Sequence, residues 1–122
     1  MDTNKRTTSG KDERWVGFDL DGTLAKYDGW KGDGHIGEPI KPMVDLAKRL
    51  HANGKKVKIF TARVAPSDGK GDVAKPRLLI SLWCRKHLGF VPEITCEKDQ
   101  FMELLYDDRA RQVEENKGKV VK

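Results

Sequence analysis

Two cysteines, Cys84 and Cys96, are all that the 122 residues contain. Neither stands in a Cys-x-x-Cys or metal-ligand pattern, so both are expected to be reduced thiols in the interior rather than a disulfide or a zinc site. Long apolar runs are missing too. No span approaches the roughly 20 apolar residues of a membrane helix, and the polar N-terminus has no signal-peptide apolar region. A cytoplasmic protein without membrane association is expected. There is no internal repeat and no low-complexity segment. The length leaves room for one core and little for a second domain. Charge is plentiful, with a formal net value of +5, but it is not gathered into one run. Lys41, Lys48, Arg49, Lys55, Lys56 and Lys58 face only Asp45 in one stretch, and Arg63, Lys70, Lys75, Arg77, Arg85 and Lys86 form a second loose group. Such groups are ordinarily solvated helix faces. They are also compatible with a nucleic-acid partner, which the charge supports weakly.

What is present reads as alternating strands and helices. Residues 1–13 are polar and without apolar pattern, and are expected to form a mobile tail ahead of one domain over 14–122. Near-continuous apolar character from Arg14 to Leu20 suits a strand covered on both faces. Ala25 to Pro42, rich in glycine and carrying Tyr27, Trp30 and His35, is too broken for a long helix and too short for a folded domain, so it reads as a flap over 25–42. Tyr27 and Trp30 could stack on a substrate ring, or could cover a small apolar cluster of the flap itself, the reading the sequence favours. His35 reads as a surface or turn residue. Pro42 opens a helix whose Met43, Leu46, Ala47 and Leu50 recur at helical spacing, and Asn53-Gly54 stops it. Lys56 to Phe60 is a second strand, and strand, helix, strand implies a parallel crossover. A loop over Val64 to Ala74 leads to a helix from Pro76 to Gly89, with Leu79, Leu82, Trp83 and Lys86 or His87 as its face and Trp83 in the core. Glu93 to Cys96 and Met102 to Tyr106 read as the third and fourth strands, with a short edge strand at Val120-Val121.

One stretch organises the rest. In Trp15-Val16-Gly17-Phe18-Asp19-Leu20-Asp21-Gly22-Thr23-Leu24 a buried strand ends in two carboxylates one residue apart. Carboxylates held this close repel, and they stay ionised cheaply only with a cation or N–H donors among them. Dense hard oxygen ligands favour Mg²⁺, which usually shares itself with a substrate phosphate. An Asp-Gly turn beside a solvated acid would look the same in isolation. In an open parallel sheet, however, ligands gather beyond the carboxyl ends of the strands, and Asp19, Asp21, Thr61, Asp107 and Asp108 all fall at such ends.

Asp19-Leu20-Asp21-Gly22-Thr23-Leu24 resembles the first motif of the haloacid dehalogenase (HAD) superfamily. Thr61, closing Val57-Lys58-Ile59-Phe60, matches the second motif, and Lys98 followed by Leu104-Leu105-Tyr106-Asp107-Asp108 matches the third and fourth. The resemblance spans Arg14 to about Ala110 and implies a single Rossmann-like three-layer α/β domain with a central parallel sheet and no separate cap. It implies a Mg²⁺-dependent phosphomonoesterase working through an aspartyl-phosphate intermediate, in which Asp19 is the nucleophile and Asp21 the general acid and base. Thr61 and Lys98 would bind the phosphoryl group, and Asp19, the carbonyl of Asp21, Asp107 and Asp108 would hold the metal, with Asp107 favoured for direct ligation. Asp99 departs from the pattern, because many relatives have proline after the lysine. The substrate is a phosphorylated molecule, with nucleotides or phosphorylated nucleic-acid ends among the candidates. A non-catalytic phosphate-binding module and a phosphotransferase are the alternatives on the same fold.

Overall fold

The computed structural model describes residues 13–66 and 72–122. The expected polar tail, but for Glu13, and the middle of the Val64 to Ala74 loop lie outside the described residues. The first strand, β1, covers Trp15–Asp19, the first helix, α1, Lys41–Ala52, and β2 Lys56–Phe60. A 3-10 turn over Ala62–Val64 follows, then α2 over Ala74–Leu88, β3 over Glu93–Thr95 and β4 over Met102–Tyr106. The four strands form one sheet in the order β3-β2-β1-β4, and every pairing is parallel. A parallel sheet built through helical crossovers, as expected from the sequence, is therefore present.

Alternation along the strands decides which face is dry. Val16 and Phe18 of β1 pair with Val57 and Ile59 of β2, so all four point to the same side. There they join Ile94 of β3, Val44 and Ala47 of α1, and Ile80, Trp83, Cys84 and Leu88 of α2 in one core. Both helices thus cover the same face, which follows when two crossovers of the same hand step in the same direction across a sheet. The helical face of α2 differs from the expected one. Pro76, Ile80, Trp83, Cys84 and Leu88 turn inward, while Leu82 and Leu78 stay more than half exposed. Two apolar stripes at helical spacing compete on this helix, and the stripe that includes Trp83 and Ile80 meets the sheet.

The other face has no helix among the described residues, so the expected third layer is not formed by them. The reason is the length of the connection from β3 to β4. It must step sideways over three strand spacings, about 14 Å, and it consists of Cys96 to Phe101, which can span about 20 Å when extended. That leaves no slack for a helix, and the segment instead crosses the sheet directly. Trp15, paired in parity with Gly17 on this face, is buried beneath it. Its indole Nε1 donates to Asp99 Oδ1 at 2.8 Å, and Lys58 Nζ lies 4.5 Å from the ring centre. Gly17 is needed below the crossing, because a Cβ there would stand 2.9 Å from the Trp15 ring. Beyond β4 the expected edge strand at Val120-Val121 reduces to a single antiparallel bridge between Val113 and Val120.

Candidate functional site

The parallel arrangement puts the carboxyl ends of β1, β2 and β4 side by side, and the chain leaves each by a different turn. After β1 it folds back at once: the amides of Thr23, Leu24 and Ala25 all donate to the Leu20 carbonyl, and Gly22 N donates to Ala25 O at 2.8 Å. Gly22 has φ +92°, a left-handed value that glycine adopts at little cost. It also has a second duty, since a Cβ at this position would stand 2.5 Å from Asp108 Oδ2. Glycine here lets the acid at the end of β4 approach the turn after β1.

Three carboxylates meet as a result. Asp19, Asp107 and Asp108 each offer an oxygen, and these oxygens all lie within 4.8 Å of one another. Thr23 ties the two strand ends together: Asp108 N donates to its Oγ1 at 3.1 Å, and the hydroxyl sits 3.3 Å from Asp108 Oδ1 and 3.4 Å from Asp19 Oδ2. Asp107 accepts from the Arg109 amide at 2.8 Å through Oδ1, leaving its other oxygen uncommitted. The adjacent acids Asp107 and Asp108 therefore both belong to the cluster. The Asp19 pKa is raised from 3.8 to about 7. Burial is the first cause, followed by hydrogen bonding to Asp108 and the charges of Asp107, Asp108 and Asp21. All the donors are hard oxygens, a set that fits Mg²⁺ or another oxygen-seeking divalent cation.

The Asp21 carboxylate takes a different partner. Arg63 Nε and Nη2 each donate to one of its oxygens at 2.8 Å, the bidentate fork that carboxylate and guanidinium geometry favour. A second bond from Nη2 reaches the His35 carbonyl at 2.9 Å, and the guanidinium carbon lies 4.8 Å from the Trp30 ring centre. One arginine thus links the turn after β1, the flap and the turn after β2. Thr61 is buried at the head of that last turn, where its Oγ1 accepts from Arg63 N at 3.2 Å. That contact uses the oxygen as acceptor and leaves the hydroxyl hydrogen available for a ligand.

The flap closes on itself through paired backbone between Ala25 and Pro39, and the Lys26 amide donates to Glu38 O at 2.8 Å. Trp83 of α2 donates from Nε1 to Gly37 O at 3.0 Å, anchoring the flap base to the core. Tyr27 and Trp30 do not cover an apolar cluster of the flap, as the sequence favoured. They are 51% and 57% exposed, and both line a cleft of about 650 Å³ that also holds Asp19, Asp21, Thr61, Asp107 and Asp108. His35 is an exposed turn residue, as expected.

Lys98 is the expected site residue that the structure does not bring into the cleft. It is exposed in the crossing that leaves the carboxyl end of β3, and Arg63 and Arg109 are the cations that line the cleft among the described residues. Its neighbour sets this placement. Asp99 accepts from Trp15 Nε1 and from Phe101 N at 2.9 Å, pinning the crossing to the sheet. Arg63 and Thr23 had no individual role expected of them from the sequence. For both, the signal was position, two residues beyond a strand-end Thr61 and two beyond Asp21. No protein-family model, curated protein or solved structure matches the chain.

Proposed function

We propose that the chain is a HAD-type, Mg²⁺-dependent phosphomonoesterase whose nucleophile is Asp19. The observation that carries this reading is the meeting of Asp19, Asp107 and Asp108 within 4.8 Å in one cleft with Asp21 and Thr61. Strand ends far apart in sequence have no structural need to gather acids at such an electrostatic cost. A bound cation would be held by Asp19, Asp107 and Asp108, and would offset their mutual repulsion and the charge of an incoming phosphate.

The rest of the chemistry belongs to the chain. An Asp19 oxygen attacks phosphorus, the bond from phosphorus to the ester oxygen breaks, and the leaving oxygen takes a proton from Asp21. A water then attacks the aspartyl phosphate, losing its proton to Asp21 and releasing phosphate and the Asp19 carboxylate. The Arg63 fork holds Asp21 in place between these events and must loosen when Asp21 carries the proton. Thr61 donates its hydroxyl to a phosphoryl oxygen. Arg63 and Arg109 are the cations that line the cleft and could offset phosphoryl charge.

Hydrolysis of an aryl phosphate, with and without EDTA, tests the proposal. Turnover that depends on Mg²⁺ and disappears in Asp19→Asn supports it. Metal-independent turnover, or substantial activity in Asp19→Asn, overturns it. Phosphate binding without any turnover would instead indicate a binding module, which would have no use for Asp21. Transfer of phosphate to an added alcohol in preference to water would indicate a phosphotransferase.

A further inference from the structure

We infer that Tyr27 and Trp30 form an aromatic ledge that takes the base of a nucleoside monophosphate, so that the substrate of the site is a free mononucleotide. The inference rests on the phosphomonoesterase reading for what happens to the phosphate, but its own ground is the flap. Large aromatic side chains are costly to leave in water, and a protein with a core to place them in usually does so. Here Trp15 and Trp83 are buried, whereas Trp30 and Tyr27 are more than half exposed and line the same cleft as the acid cluster.

Trp30 is also prepared for stacking. The Arg63 guanidinium lies against the indole at 4.8 Å, and that guanidinium is fixed by Asp21 and the His35 carbonyl. A ring braced by a fixed guanidinium and more than half exposed can accept a planar group without first being ordered, which removes an entropic cost of binding. The cleft, at about 650 Å³, lies within the usual range for small-molecule sites, roughly 300–1,000 Å³. Asp33 and Asp72 line it as well, offering acceptors to the ring N–H and exocyclic amino groups that a nucleobase has and a plain aryl ring lacks.

Charge selects the mononucleotide over a nucleic-acid end. Among the residues lining the cleft, the carboxylates of Asp19, Asp21, Asp33, Asp72, Asp107 and Asp108 face only Arg63 and Arg109. One phosphate can be accommodated with a divalent cation, while the further phosphates of a polynucleotide would meet uncompensated acids.

The test compares a nucleoside 5′-monophosphate with ribose 5-phosphate, the same ester without its base. The wild-type protein should prefer the nucleotide in kcat/KM by about tenfold or more, the size of one good stacking contact. Trp30→Ala and Tyr27→Ala should each collapse that preference, mainly through the KM of the nucleotide, and Trp30→Phe should largely restore it. Equal use of the two esters, or an unaltered preference in both alanine variants, overturns the ledge. So does a 5′-phosphorylated oligonucleotide that outcompetes the mononucleotide. A readout without turnover separates this inference from the enzymatic one: in Asp19→Asn with EDTA, nucleoside monophosphate should quench tryptophan fluorescence, and Trp30→Ala in that background should abolish the quenching. Quenching without hydrolysis of any ester by the wild type would keep the ledge and sink the phosphomonoesterase. Hydrolysis without quenching would do the reverse.

Discussion

Asp19→Asn should make the metal-free protein more stable while removing its response to Mg²⁺. The structure raises the Asp19 pKa from 3.8 to about 7, so the folded chain holds a proton between about pH 4 and 7 that the unfolded chain has released. Stability from this group is therefore complete below about pH 4, declines as pH rises through that window, and is lost above about pH 7. The rise from 3.8 to about 7 would correspond to about 4 kcal/mol for a fully desolvated carboxyl. Asp19 is only half-buried and faces an open cleft, so solvent screening reduces the figure to about 1–2 kcal/mol. At pH 8 without metal, the asparagine variant should melt roughly 4–8 °C above the wild type, and the gap should close as the pH is lowered to 4. Saturating Mg²⁺ should reverse the order, because only the wild type gains the stabilisation that ligand binding to the folded state provides. Thermal melts of both proteins from pH 4 to 8, with EDTA and with Mg²⁺, check this. A wild type as stable as the variant at pH 8, or equal stabilisation of both by Mg²⁺, would refute the idea that Asp19 sits in a cation-seeking cluster.

Other residues give independent outcomes. Arg63→Ala removes a side chain only 6% exposed that serves Asp21 and the flap, and should cost about 2–4 kcal/mol in denaturant unfolding. Arg63→Lys should recover only part of this, since an ammonium cannot reproduce the fork. Gly22→Ala puts a Cβ at a positive φ and 2.5 Å from the Asp108 carboxylate, so a loss of about 1–3 kcal/mol is expected, together with weaker Mg²⁺ binding by calorimetry. Lys98→Ala should lower kcat by about a hundredfold if the amine meets the transferring phosphoryl group; a loss below about threefold in steady-state kinetics would leave that role to Arg63.

Most of the fold could be read from periodicity. The second strand, Lys56–Phe60, and the fourth, Met102–Tyr106, fall where the apolar pattern puts them, and the helices differ from expectation by a residue or two at their ends. What escaped was the number of layers. Elements of the right type in the right order do not say whether the last connection is long enough to carry a helix over the second face, and here Cys96 to Phe101 is not. The buried face of α2 was missed for a related reason. Leu79-Leu82 and Ile80-Trp83 are equally periodic, and only the position of the helix over the sheet selects between them.

The site shows the same division between what repeats and what meets. Asp19, Asp21, Thr61, Asp107 and Asp108 could be gathered from sequence because each closes an apolar strand, and all five line one cleft. Arg63 and Thr23 could not, because what they do depends on which strand end lies opposite. Thr23 reaches Asp108 across 85 positions of sequence, and Gly22 matters through the room it leaves for that same acid. Asp99 makes the point most sharply. In the sequence it is only the acid beside Lys98, yet in the fold its carboxylate takes the Trp15 indole N–H at 2.8 Å and fixes the crossing on which Lys98 is carried. The backbone that carries Lys98 is therefore held from the far face of the sheet. If the amine acts on phosphate, Asp99→Pro should alter Lys98's contribution to kcat as well as stability, whereas a purely structural Asp99 would move stability alone.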